Sequence, residues 1–184
     1  MEESTLAALQ QLLDRQQIHN CIIRYCGGVD RFDREMLLSV YHEDATDDHG
    51  AFVGTAAQFV DWALAYHAKY QHTHKHYVLN HRCDLDGDTA HTETYWLFSG
   101  VNKLGPPISL SGGRYLDRFE KRAGRWGIAA RKCIIEWSGA LGEIAVPPEA
   151  LAAWAATGVA ARDKSDPSYM RPLAITRVPQ VLPF

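Results

Sequence analysis

Tyr25 and Asp30 stand five residues apart around Cys26-Gly27-Gly28-Val29. That stretch is so small and apolar that the carboxylate is expected to be partly buried. A buried carboxylate is costly without a partner, so a cation or a hydrogen-bond donor should meet it. Taken alone, the same aspartate reads equally well as the cap of a helix beginning at Arg31. The second concentration of chemistry is Gln71-His72-Thr73-His74-Lys75-His76-Tyr77-Val78-Leu79-Asn80. In an extended chain His72, His74 and His76 share one face, and three imidazoles on one face are possible zinc ligands. No carboxylate or cysteine lies at helpful local spacing, however. The plainer reading turns only His76 inward, where the strand enters the sheet, and leaves His72 and His74 in a solvated loop. No metal and no cofactor are expected. Arg131 lies among small apolar residues and could hold an anion in a pocket, although periodicity leaves open whether it, Lys132 or Cys133 faces inward.

Other motifs carry less. Asp84-Leu85-Asp86-Gly87-Asp88 lacks the later bidentate glutamate of a calcium loop and reads as a hairpin turn. Gly112-Gly113 precedes no helix and is not a phosphate loop. No Gly-x-Ser-x-Gly elbow occurs, so nucleophilic catalysis has no local support. Tyr95, Trp96, Phe98, Tyr115 and Trp137 on predicted strands would supply apolar cavity walls.

The elements that must position these groups follow from periodicity. Leu6, Leu9, Leu13, Ile18, Ile22 and Tyr25 predict an amphipathic helix over 4–27, weakened or ended at Gly27-Gly28. A short helix is predicted over 31–41 and a strand over 45–52. Thr55 then caps a third helix whose apolar face includes Phe59, Val60, Ala63, Leu64 and His67. Strand-like runs follow at 77–85 and 89–99, joined by Asp86-Gly87, and then at 108–121 and 126–137. Helices first and consecutive strands later predict an α+β domain, with helices packed on one face of a curved antiparallel sheet. Pro147-Pro148 opens a short alanine-rich helix. The tail from Asp166 is expected to lie across a surface or a neighbouring subunit.

The chain has 184 residues, 46% hydrophobic and 22% charged, with a net charge of -3. That suits one globular domain: a core over 1–146, with 147–184 as a C-terminal helix and tail of the same unit. Lysine and arginine are scattered, which argues against nucleic-acid and membrane partners. No apolar run is long enough to span a bilayer. The acidic start is unlike a signal peptide, and Cys21, Cys26, Cys83 and Cys133 form no Cys-x-x-Cys pair. A cytoplasmic location is expected.

Tyr25-x4-Asp30, Asp33-x-Glu35-Met-Leu-Leu and Tyr41-His-Glu-Asp-Ala45 resemble the opening of SnoaL-like domains, in the superfamily of scytalone dehydratase and nuclear transport factor two. His76-Tyr-Val-Leu-Asn80, Asp86-Gly-Asp88, Gly113-Arg-Tyr115, Phe119 and Gly124-Arg-Trp126 continue the likeness, over roughly residues 5–138. The resemblance implies a cone-shaped α+β barrel, with N-terminal helices on a strongly curved, mixed, mostly antiparallel sheet. It pairs His76 with Asp30. Bile-acid 7α-dehydratases have a tyrosine in the place of Tyr25. Hexachlorocyclohexane dehydrochlorinases have a lysine there, which speaks against dehydrohalogenation, while their active-site arginine lines up with Arg131. Relatives are commonly trimers, so the resemblance implies a homo-oligomer. Many relatives have lost the pair and only bind ligands; its retention here favours an enzyme.

An aspartate bonded to one imidazole nitrogen fixes the tautomer and leaves the other nitrogen as a general base. The expectation is a cofactor-independent lyase acting on an apolar aromatic or polycyclic alcohol. His76 removes a proton, Asp30 orients it, and Tyr25 and Arg131 assist the departing oxygen. His49 adds a donor, and Tyr95, Trp96 and Trp137 line the substrate site. Loss of water, deformylating carbon–carbon cleavage and aldol cyclisation share the same base. The competing expectation is a ligand-binding or accessory protein without activity.

Overall fold

The computed structural model describes residues 2–142, 148–156, 159–172 and 174. Its elements are α1 (Glu2–Arg31), α2 (Arg34–Leu38), β1 (Tyr41–Asp48), β2 (Val53–Thr55), α3 (Ala56–Tyr70), β3 (Gln71–Asp86), β4 (Thr89–Asn102), β5 (Ile108–Arg122), β6 (Arg125–Leu141) and α4 (Pro148–Ala155). Pro147 and most of the residues after 172 lie outside the described residues.

α1 does not end at Gly27-Gly28 but continues to Arg31. Gly28 acts there as a packing contact, because a Cβ on it would lie 2.9 Å from the Leu37 backbone nitrogen. The helix stops four residues later, where Phe32 turns left-handed at φ 56. The Asp33 N–H then donates to the Gly28 carbonyl at 2.9 Å and the Phe32 N–H to that of Val29 at 3.4 Å. This pair of reversed bonds is a Schellman closure, with Phe32 where glycine is usual. It leaves Asp30 in the last helical turn. Asp33, rather than Asp30, caps α2 by accepting from the Met36 N–H at 3.1 Å.

Ile18, Ile22, Tyr25 and Val29 form the buried stripe of α1, whereas Leu6, Leu9 and Leu13 of the same periodic set are exposed. The stripe packs on β3 and β6, and Phe59, Val60 and Ala63 of α3 complete the core. Thr55 and Gln58 form a reciprocal capping box at the start of α3, as the sequence predicts for Thr55.

The six strands run in the order β2-β1-β6-β5-β4-β3. β1 pairs parallel with β6 and every other pairing is antiparallel, so the α+β expectation of a mixed, mostly antiparallel sheet holds, but the sheet is open rather than a closed barrel. β1 begins at Tyr41 and β3 at Gln71, both earlier than predicted, and the histidine run therefore belongs to a strand. Asp86 pairs with Thr89 across Gly87, whose φ of 56 suits the hairpin. The described part of the C-terminal segment packs against the end of α1 and the turn after it. Asp166 pairs with Arg31 at 3.1 Å, and the Tyr169 hydroxyl donates to Asp33 at 2.6 Å.

β5 and β6 slip register between Gly112 and Gly113. A Cβ on Gly113 would come 1.9 Å from the Ile134 carbonyl oxygen, whereas one on Gly139 meets nothing within 4 Å. Gly113→Ala is expected to lower stability in urea unfolding by about 1–3 kcal/mol or more, and Gly139→Ala by no more than about 0.5 kcal/mol.

Candidate active site

Asp30 sits in the last turn of α1 and reaches across to β3. Its Oδ1 lies 2.7 Å from Nδ1 of His76, and its Oδ2 accepts the His76 backbone N–H at 3.1 Å. A carboxylate facing Nδ1 assigns the proton to that nitrogen and leaves Nε2 as the basic one. The structure thus brings together the two residues that the resemblance pairs.

His72 is solvent-exposed, as the plainer reading has it, but His74 departs from that reading. A bulge between Gln71 and Thr73 breaks the strand alternation, so His72 is exposed while His74 is buried beside His76. His74 Nε2 donates to the Val29 carbonyl at 3.2 Å, and its Nδ1 accepts from Arg162 at 3.3 Å. Its ring stacks on His67 of α3 at 4.0 Å between centroids, and both rings meet His76 edge-on. Burial pushes His67 and His74 down to about 3, helped by repulsion among the neighbouring imidazoles. Both stay neutral at ordinary pH. Asp30, His74 and His76 offer ligand atoms within 4.8 Å of one another, the carboxylate coming from α1 rather than from nearby sequence. Both nitrogens of His74 already have protein partners, however, and the Asp30–His76 spacing is that of a hydrogen bond.

His76 opens on a cavity of about 600 Å³. Its walls include Trp62 and Tyr66 of α3, Trp96 and Phe98 of β4, Tyr115 of β5 and Ile135 of β6, with His49 and His67 also at its edge. That volume and lining suit a small, largely apolar molecule. Trp96 stacks on Tyr115, and its buried indole N–H has no hydrogen-bond partner among the described residues. Cys133 also borders the cavity, but burial pushes its thiol up to about 12, so it is no nucleophile. A larger hollow, about 770 Å³, is walled by charged side chains such as Arg82, Glu93 and Arg114 and lacks the histidine pair.

Four expected site residues are placed away from the cavity. Tyr95 is 43% exposed, because it follows the opposite face of β4 from Trp96. Trp137 is half exposed and its ring covers Gly112, a consequence of the β5–β6 slip. Arg131 faces inward but is locked: Nε and Nη2 donate to both oxygens of Asp117 at 2.7 and 2.8 Å. Its guanidinium is sandwiched 4.2 Å from the ring centres of Tyr25 and Tyr115. Tyr25 is buried behind the wall, and its hydroxyl lies 3.4 Å from His49 Nε2. A regular hairpin counted from the Arg122–Arg125 turn would set Asp117 opposite Ala130. A bulge between Arg118 and Phe119 brings Arg131 there instead. Residue spacing therefore hid Asp117. His67 had a signal, a histidine on an apolar helix face.

Residues 10–132 match the SnoaL-like domain family. No curated protein matches the chain. Among solved structures, a type 2 hexachlorocyclohexane dehydrochlorinase is 23% identical with a TM-score of 0.70, covering 77% of this chain and 98% of that one. A type 3 enzyme of the same name from Novosphingobium barchaimii is 23% identical with a TM-score of 0.68, covering 77% and 99%. A candidate scytalone dehydratase from Novosphingobium aromaticivorans is 18% identical with a TM-score of 0.64, covering 75% and 94%. At such identities the likeness is one of fold.

The neutral imidazoles make stability depend on pH. His67 and His74 take up protons at about 3 in the folded protein, against an ordinary value of 6.5 in the unfolded chain. Between those values the unfolded state binds more protons, so stability is full above 6.5 and falls as pH drops toward 3. Each ring contributes a slope of up to about 1.4 kcal/mol per pH unit. His42 and His81, also held low by burial, act in the same direction. Urea unfolding from neutral to mildly acidic pH should show this loss, and His67→Gln should make it shallower.

Proposed function

The chain belongs to the SnoaL-like domain family, and on that premise we propose that it is a cofactor-independent lyase acting on an apolar aromatic or polycyclic alcohol. The observation that carries the reading is the Asp30–His76 hydrogen bond of 2.7 Å at the edge of an aromatic-walled cavity. Asp30 holds the Nδ1 proton, so His76 presents Nε2 to the substrate as general base. The bond to the His76 backbone N–H fixes the carboxylate as well as the ring. Trp62, Phe98 and Tyr115 supply flat apolar surface for an aromatic substrate.

Two outcomes follow from one base. Proton removal from carbon expels a hydroxyl at the neighbouring carbon and gives an alkene and water. Proton removal from a primary hydroxyl lets its carbon leave as formaldehyde, the C–C bonding pair either forming an alkene as a hydroxyl on the next carbon departs as water or taking up the proton that the base removed. Arg131 and Tyr25 stabilise the site from behind its wall rather than touching the departing oxygen. The same reading includes a cytoplasmic homotrimer, testable by light scattering.

Mass spectrometry on aromatic and steroidal alcohols and diarylpropane diols should detect loss of water or of formaldehyde. His76→Ala and Asp30→Asn should each lower turnover by roughly 10²–10⁴-fold while remaining folded. Full activity in either variant would sink the assignment, and a ligand bound tightly without turnover would favour a binding protein.

A further inference from the structure

Two carboxylates clasp the C-terminal segment to the end of α1. Asp166 pairs with Arg31 at 3.1 Å and accepts the Ala161 backbone N–H at 2.8 Å. Asp33 meets Lys164 at 2.9 Å and the Tyr169 hydroxyl at 2.6 Å. Arg162 takes no part in that clasp. It turns inward and donates from Nη2 to His74 Nδ1 and from Nη1 to the His67 carbonyl, both at 3.3 Å. Its guanidinium lies 4.7 Å from the ring centre of Phe32, and that ring also meets His74 edge-on at 5.9 Å. The left-handed Phe32 thus covers the cation, which glycine in its place could not do. A guanidinium set on a neutral ring and a carbonyl is a poor choice for a mere anchor. Burial disfavours its charge, and its Nε has no hydrogen-bond partner among the described residues.

Each nitrogen of His74 faces a group with one possible role. A guanidinium only donates and a carbonyl only accepts, so the proton of His74 is on Nε2. That N–H meets the Val29 carbonyl at 3.2 Å and lies 3.6 Å from Asp30 Oδ1. On its other side Asp30 holds His76 Nδ1 at 2.7 Å. Arg162, His74, Asp30 and His76 therefore form one continuous line from the C-terminal segment to the candidate base. Asp30 has no arginine or lysine ion pair among the described residues, and Arg162 is the cation that reaches it through one intervening ring. We propose that Arg162 is a positioning residue for the Asp30–His76 pair, acting through His74. This rests on the lyase reading above. With Nδ1 held by Arg162, the His74 ring is kept from turning about its Cβ–Cγ bond, and its Nε2–H stays beside Asp30. The carboxylate is confined between two imidazole N–H groups and the His76 backbone N–H, and His76 keeps one orientation. Arg162 is not among the walls of the cavity, so its loss leaves the substrate's own contacts in place.

The test uses three variants of the full chain. Arg162→Met removes the donors and keeps the length of the side chain, and Arg162→Lys retains a charged donor. Tyr169→Phe cuts the clasp at Asp33 without touching the histidines. Ring ¹⁵N–¹H spectra follow the His76 Nδ1–H, which Asp30 shields from solvent in the wild type. Arg162→Met should speed solvent exchange of that proton by about tenfold or more, although Arg162 does not touch His76. Arg162→Lys should restore most of the protection, and Tyr169→Phe should leave it at the wild-type level. On an alcohol that the wild type converts, Arg162→Met should lower kcat by about tenfold with KM within about twofold. Unchanged exchange in Arg162→Met, an equal effect from Tyr169→Phe, or a change in KM alone would overturn the proposal. The expected exchange result, with no alcohol converted by the wild type, would count against the lyase reading and leave the positioning role standing.

Discussion

A carboxylate in the last turn of a helix faces the negative end of the helix dipole, and burial deprives it of water. Asp30 is in that position. Its site is tolerable because β3 supplies two N–H donors from one residue, the backbone and ring of His76. That interaction joins the end of α1 to the sheet and orients the candidate base. Much else follows from the need to place it. Gly28 lets α2 approach, Phe32 accepts a left-handed backbone, and the chain reverses immediately after the aspartate.

The same electrostatic constraint is met differently deeper in the core. Arg131 is fully buried and would be untenable without Asp117, whose two oxygens meet it in parallel. Two tyrosine rings cover the remaining faces of the guanidinium. Held this way, the charge acts as scaffold: Tyr115 forms cavity wall on one side, and Tyr25 supports His49 on the other. Desolvation keeps the three core tyrosines Tyr25, Tyr41 and Tyr115 protonated, so each remains a donor.

Histidines serve here in two distinct ways. His67 and His74 are stacked, dry and neutral, packing much as aromatic residues do, and Arg162 from the C-terminal segment fixes the tautomer of His74 by donating to Nδ1. His76 and His49 each face a carboxylate and a cavity. A carboxylate at Nδ1 orients the rings of His76 and His49, whereas His67 and His74 are held chiefly by stacking on each other.

The sequence by itself determined the α+β class, the capping of α3 and the hairpin at Asp86-Gly87, because these depend on local periodicity and turn chemistry. The motif order also marked Asp30 and His76 as partners, since that pairing is a family pattern. Tertiary structure alone decided what met them. The inward turn of His74 depends on a bulge after Gln71, and the Asp117–Arg131 pair depends on a register slip in β5 and β6. A bulge is one extra residue that reverses which side chains face inward, and hydrophobic spacing cannot register it. Tyr95 and Trp96 differ by one position, and only the sheet's pairing assigns one to solvent and the other to the cavity. The withdrawal of Tyr25 behind His49 has the same origin: residues far apart in sequence compete for one wall, and packing in three dimensions settles which of them reaches it.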